Sequence, residues 1–157
     1  MYIYLNHISY MNKTKDEAVK FYKNFLEMEI KKEFTLDSSL SKSLFSINDN
    51  LEIILFAKGC LKIEIMIYKN YKPKNNTVNH ICLEIEDINI FIKKCDEFKI
   101  QKNFIDLPTK KLYFIKDYSD NIIEVKENKF MEFKPSELYK EPKNNKENKY
   151  MEFGDIL

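Results

Sequence analysis

The sequence predicts an α+β protein of two similar halves, each opening on a strand, passing through a helix and ending in a run of strands. Three observations carry that expectation. The chain's two histidines sit in near-copies of one stretch, LNHIS at 5–9 and VNHIC at 78–82. Each stretch alternates in polarity and is followed by a segment with helical spacing of apolar residues. Each half then closes on a glutamate between two aliphatics, Ile63-Glu64-Ile65 and Ile123-Glu124-Val125. With 157 residues, 44% of them hydrophobic and 14% aromatic, the chain can bury a real core, as one ordinary domain or two very small ones.

The elements follow in order. On the first strand Asn6, Ile8 and Tyr10 share one face, and Leu5, His7 and Ser9 share the other. TKDEAVKFYKNFLEM then reads as a helix: Thr14 and Glu17 have capping-box spacing, and Ala18, Tyr22, Phe25 and Leu26 form its stripe. Four strand-like runs follow, EIKKEFTL (29–36), SLFSIN (43–48), LEIILFA (51–57) and LKIEIMIY (61–68). In the second half Ile81, Leu83 and Ile85 form an apolar face, with His80, Cys82 and Glu84 opposite. DINIFIKKCDEF supplies a helix capped by Asp87, with Ile88, Phe91, Ile92, Cys95 and Phe98 on one side. Three strand-like runs follow here, KIQKNFID (99–106), KLYFIKD (111–117) and NIIEVKE (121–127). Four runs against three leaves the first meander open.

A first module therefore spans 1–69, and a polar linker carrying Pro73 opens a second that runs from 70 to 127. Residues 128–157 form a polar extension with its own echo, NKFMEF and NKYMEF, whose aromatics read as docking groups. The 26 basic residues, all lysine, nearly balance 25 acidic ones, so nucleic acid has no electrostatic footprint to bind. No apolar run approaches a membrane span or a signal peptide, and a cytoplasmic location is expected. Cys60, Cys82 and Cys95 lack CxxC spacing and read as reduced, buried small hydrophobes.

His7, Glu64, His80 and Glu124 stand at corresponding places in the two halves, each on the face opposite its aliphatic neighbours. Two imidazoles and two carboxylates suit one divalent ion of Ni, Co, Mn, Fe or Zn, and leave positions open on a six-coordinate metal. Each residue also has a plain structural reading. Strand histidines are more often structural than ligands, and Leu51-Glu52-Ile53 and Leu83-Glu84-Ile85 repeat the glutamate pattern. The order His…Glu, His…Glu in two halves, with no other histidine in the chain, is what singles the four out.

With LNHISY, FYKNFLEMEI, VNHICLEIEDI and YFIKDYSDNIIEV together, residues 1 to about 127 resemble the vicinal-oxygen-chelate superfamily, which includes glyoxalase I and the fosfomycin-resistance proteins. The resemblance implies two βαβββ modules whose strands line a metal cleft, with ligands His7, Glu64, His80 and Glu124. Where the family has FYxxxLGF and YFxDPDGNxIEL, this chain puts Glu27 and Asp120 in place of the glycines. Only two glycines occur in the chain, Gly59 and Gly154.

The four-ligand set is similar to that of bacterial glyoxalase I, and implies a lyase or isomerase acting on a small, oxygenated, possibly thiol-adduct substrate. Glu124 (or Glu64) would be the catalytic base. The arginines that commonly hold the glutathione carboxylates in that family have no counterpart here. NHIS is similar to the NHxT of fosfomycin-resistance enzymes, which implies a thiol transferase or hydrolase as the second reading. Their tyrosine before the final glutamate corresponds to Phe114, beside Tyr113. The third reading is a non-catalytic binder of the bleomycin-resistance type. Ser9 and Cys82, two residues past the histidines, are expected on the cleft side with Tyr113 and Phe114 as substrate contacts. A homodimer is the expected assembly.

Overall fold

A computed structural model describes residues 5–73 and 77–128. The first strand, β1 (Ile8–Asn12), starts one residue after His7. Thr14 then caps the helix α1 (Lys15–Ala18), its side chain accepting from Glu17 N at 3.2 Å. The Glu17 carboxylate completes no reciprocal box and accepts from Ser119 Oγ at 3.4 Å. Beyond α1 the chain continues as a π-helical segment, Val19–Phe25, closed by Leu26 N donating to Phe21 O at 2.9 Å. The wider turn seats Phe21, Tyr22 and Phe25 in the core together.

β2 (Glu29–Leu36), β3 (Leu51–Lys58) and β4 (Leu61–Ile67) complete the first sheet, in the order β1-β4-β3-β2 with β1 parallel to β4. SLFSIN, expected as a strand, is not one. Residues Ser38–Phe45 form the helix α2, with Asp37 accepting from Leu40 N at 2.9 Å and Ser46 closing it at φ 60°. A carboxylate cap followed by Leu40 and Leu44 at helical spacing outweighs the short apolar run. This correction reduces four candidate strands to three, matching the second half.

That half repeats the plan. β5 (His80–Ile85), α3 (Ile88–Glu97), β6 (Gln101–Asp106), β7 (Lys111–Lys116) and β8 (Ile122–Glu127) give a second sheet ordered β5-β8-β7-β6, with β5 parallel to β8. Asp87 caps α3, accepting from Asn89 N and Ile90 N. No helix among the described residues is long and apolar enough to cross a membrane. The aromatic docking expected of the extension falls, beyond Asn128, outside the described residues.

The helical segments of both halves share one core. Phe25 lies 5.4 Å from Phe91 and 5.6 Å from Phe98 between ring centroids, and Tyr22 packs on Phe56. Ile63, Ile65, Ile123 and Val125 supply the sheet side, each at most 1% exposed. Cys95 is buried there, as expected, whereas Cys60 and Cys82 are exposed. Cys60 occupies the β3–β4 turn and Cys82 faces away from the core, so neither fills the apolar role expected of it.

Polar groups join the halves as well. The turn 117–121 between β7 and β8 reaches the first module: Asp117 Oδ2 accepts from Tyr22 Oη at 2.9 Å, and Ser119 Oγ accepts from Lys13 N at 2.9 Å. Asn121 Nδ2 donates to Met11 O at 2.9 Å. Asp117 also accepts from the backbone N–H groups of Ser119 and Asn121. Burial nonetheless dominates, holding its carboxyl above the ordinary aspartate value.

Candidate metal centre

The parallel pairing of β1 with β4 sets Ser9 opposite Glu64 and Ile8 opposite Ile63. Ile63 and Ile65 are fully buried, so strand alternation turns Glu64 to the other face of the sheet. Ser9 shares that face, and its hydroxyl donates to Glu64 Oε1 at 3.1 Å. His7, two residues before Ser9, brings Nε2 to 3.7 Å from the same oxygen. Its Nδ1 stands 3.2 Å from Asn6 Oδ1.

The second module builds the same pair. β5 and β8 set Cys82 opposite Glu124 and His80 opposite Ile122. His80 Nε2 lies 3.5 Å from Glu124 Oε2. Its Nδ1 is 2.7 Å from the Val78 carbonyl oxygen, which can only accept, so Nδ1 carries a proton and Nε2 is the nitrogen turned to the carboxylate. Cys82 is opposite Glu124 on the neighbouring strand, and the Lys126 ammonium stands 3.4 Å from Glu124 Oε1. Shelter from water alone would raise the Glu124 carboxyl, but Lys126, Cys82 and His80 together hold it below the ordinary glutamate value. The Cys82 thiol is pushed up, first by burial and then by the Glu124 charge.

Phe114 is opposite Glu124 on β7 and meets the His80 ring edge-on, with centroids 5.6 Å apart. Tyr113 is not with this group. It is opposite Val125, on the other face, and meets Phe104 edge-on with ring centroids 5.1 Å apart. Adjacent strand residues point to opposite faces, so the two aromatics could not both join the site. Lys126 is the residue that sequence reasoning missed. The signal was available, since a residue two beyond Glu124 on the same strand shares its face.

Both pairs are open on one side, with histidine side chains 38% and 37% exposed over carboxylates 16% and 15% exposed. Each offers one imidazole nitrogen and one carboxylate oxygen, a donor set that suits a borderline divalent ion. Among the described residues no three His, Cys, Asp or Glu side chains converge as an ion site. The four residues thus make two half-sites, each with two donors.

A family model described as the Glyoxalase/Bleomycin resistance protein/Dioxygenase superfamily matches residues 4–125. Solved structures share the fold. A glyoxalase family protein from Enterococcus faecalis is 20% identical at a TM-score of 0.57, the match covering 78% of this chain and 95% of that one. The fosfomycin resistance protein FosX from Listeria monocytogenes is 15% identical at a TM-score of 0.62, covering 82% and 95%. A mutant of that FosX, complexed with Mn(II) and 1S,2S-dihydroxypropylphosphonic acid, is 19% identical at 0.59, covering 80% and 92%. No curated protein matches the chain.

Proposed function

The chain belongs to the Glyoxalase/Bleomycin resistance protein/Dioxygenase superfamily, and from that premise we propose that it is a divalent-metal-dependent isomerase or lyase of the glyoxalase I type. The observation that supports this reading is the repeated pair: His7 with Glu64 and His80 with Glu124, each at ion-pairing distance on the outward face of its sheet. These four side chains would hold Ni, Co, Mn, Fe or Zn, whose charge, when bound, polarises two adjacent oxygens of a small substrate. Each half-site offers two donors, and in this reading two copies of the chain would supply the set of four. His7 and Glu64 come from one protomer, His80 and Glu124 from its partner.

The work of the protein's own residues follows from their placement. Glu124 is the base: it takes a proton from the hydroxyl-bearing carbon next to a carbonyl and returns it to the carbonyl carbon, while the hydroxyl proton passes to the former carbonyl oxygen, so the reaction is a net isomerisation. Like any glutamate near its ordinary value, it is ionised at neutral pH and so free to accept a proton. Glu64 remains a ligand or exchanges that role with Glu124. Ser9 and Cys82 orient the two carboxylates, and Phe114 forms an apolar wall beside His80.

The second reading is fosfomycin-resistance chemistry, favoured by the FosX neighbours, one of them an Mn(II) complex of a dihydroxyphosphonate. Here the substrate would be an oxygen-bearing phosphonate. The two readings separate in one assay of Mn(II)-, Ni(II)- and Zn(II)-loaded protein against the methylglyoxal–glutathione hemithioacetal and against fosfomycin, with water or thiol as nucleophile. Turnover of the first, lost by about a thousandfold in Glu124→Gln, supports the isomerase. Opening of fosfomycin without hemithioacetal turnover replaces it with the second reading. Metal uptake without turnover of either leaves a binding protein.

A further inference from the structure

The two half-sites surround their carboxylates differently. Glu64 faces His7 and accepts from the Ser9 hydroxyl through one oxygen, Oε1. Glu124 turns Oε2 to His80, while Oε1 lies 3.4 Å from Lys126 Nζ. Lys126 is two residues beyond Glu124 on β8 and opposite Glu84 on β5, so its side chain leaves the same face of the sheet. It is 58% exposed, and its ammonium pairs with Glu124.

We propose that Lys126 is a positioning residue that weakens divalent-metal uptake by competing for Glu124. The proposal rests on the metal-site reading above. An ammonium on one carboxylate oxygen withdraws donor charge from the other. It also puts a positive charge within a few ångströms of an incoming dication, which must displace it or accept the repulsion. In a site open to water that repulsion is screened but not abolished. The first half-site binds through a carboxylate held by a neutral hydroxyl, and the second through one held by a cation. The cation is what makes the second half-site the labile one.

The test is Mn(II) binding to the full chain, read from the electron paramagnetic resonance signal of the free ion, for the wild type, Lys126→Met, Lys126→Arg and His80→Ala. Lys126→Met keeps the stem and removes the charge, and it should bind Mn(II) about tenfold more tightly. That gain should shrink as salt rises. Lys126→Arg, which keeps the charge, should stay near wild type. Thermal melting of the metal-free variants should be unchanged, since an exposed lysine supports little packing. If Lys126→Met binds no more tightly than wild type while His80→Ala loses binding, the role of Lys126 is rejected and the metal site stands. If wild type and His80→Ala take up Mn(II) equally or not at all, the metal site and the proposal fall together.

Discussion

The first module closes its sheet with a two-residue turn, Gly59-Cys60, between paired Lys58 and Leu61, whereas the second uses the five residues 117–121. Gly59 sits at φ 59° with nothing within 4 Å of where a side chain would begin, so this turn points to solvent and satisfies itself. The second turn points inward and is tied to Tyr22, Lys13 and Met11 of the other module. Repetition of the strand–helix–strand plan made the two His–Glu pairs alike. What differs between the copies is how each is fixed: the first by its own hairpin, the second by the first.

The strongest break of the symmetry between pairs comes from the histidines. His7→Ala and His80→Ala should each lose high-affinity metal uptake, since each removes the only nitrogen donor of its half-site. Mixing the two variants tests how the halves meet. If each site combines the first pair of one protomer with the second pair of its partner, a mixed dimer regains one intact site. Metal capacity should then recover to roughly a quarter of wild type for random exchange of subunits. Calorimetric titration after co-refolding reads this directly, and no recovery would place both pairs in one chain.

Next in size is the junction. Asp117→Ala would leave Tyr22 Oη, two backbone N–H groups and the Asn121 amide short of an acceptor in a buried site. The expected loss is about 3 kcal/mol of folding stability. The pH dependence has a definite sign. Burial raises the Asp117 carboxyl, so the folded chain binds this proton more tightly than the unfolded chain. The contribution is full below the ordinary aspartate value and fades as pH rises through the raised one. Urea unfolding across that range should show a downward slope in wild type that is shallower in Asp117→Ala. The matching change in the first turn, Cys60→Ala, should be nearly silent.

How the sequence revealed this plan follows from what periodicity encodes. Alternation gave the faces of β1, β4, β5 and β8, and so placed Glu64, Glu124, Ser9 and Cys82 on one side. It also should have separated Tyr113 from Phe114, which only the family resemblance joined. The helix α2 was misread because SLFSIN is apolar enough for a strand, while the decisive residue, Asp37, stands six positions upstream as a cap. The junction was illegible for a different reason. DYSDN reads locally as a turn with Asp120 in place of a glycine, but its polar side chains are partners for residues about a hundred positions away, a distance no local pattern reports.

A smaller effect sharpens the comparison between Ser9 and Cys82. Each is opposite a carboxylate on the neighbouring strand: Ser9 donates its hydroxyl to Glu64 at 3.1 Å, while Cys82 presents to Glu124 a thiol, a weaker donor. Ser9→Ala should weaken Mn(II) binding about tenfold, the lower end of what an orienting partner contributes. Cys82→Ala should cost less, because a thiol orients a carboxylate less firmly than a hydroxyl does. Equal losses would mean that hydrogen-bond strength is not what matters at these positions.

The smallest expected effect concerns the helix exits, where the modules agree in backbone and differ in side chain. Glu27 and Lys99 both sit at φ 56°, the left-handed region that glycine occupies without strain. The Lys99 backbone N–H donates to Asp96 O. Replacing Lys99 by glycine should therefore stabilise the fold by about 1 kcal/mol, the relief of a strained non-glycine residue less the added freedom of the unfolded chain. Glu27 occupies the same conformation but bonds Lys58 at 3.2 Å and Lys94 of the second module, and these partners hold its carboxyl low. Glu27→Gly relieves the same strain while removing those ties, so its gain should be smaller than that of Lys99→Gly. Thermal melts of the two single variants decide it. A larger gain at Glu27 would show that the ties between modules at this end contribute nothing, and that the 117–121 junction and the shared core hold the halves together by themselves.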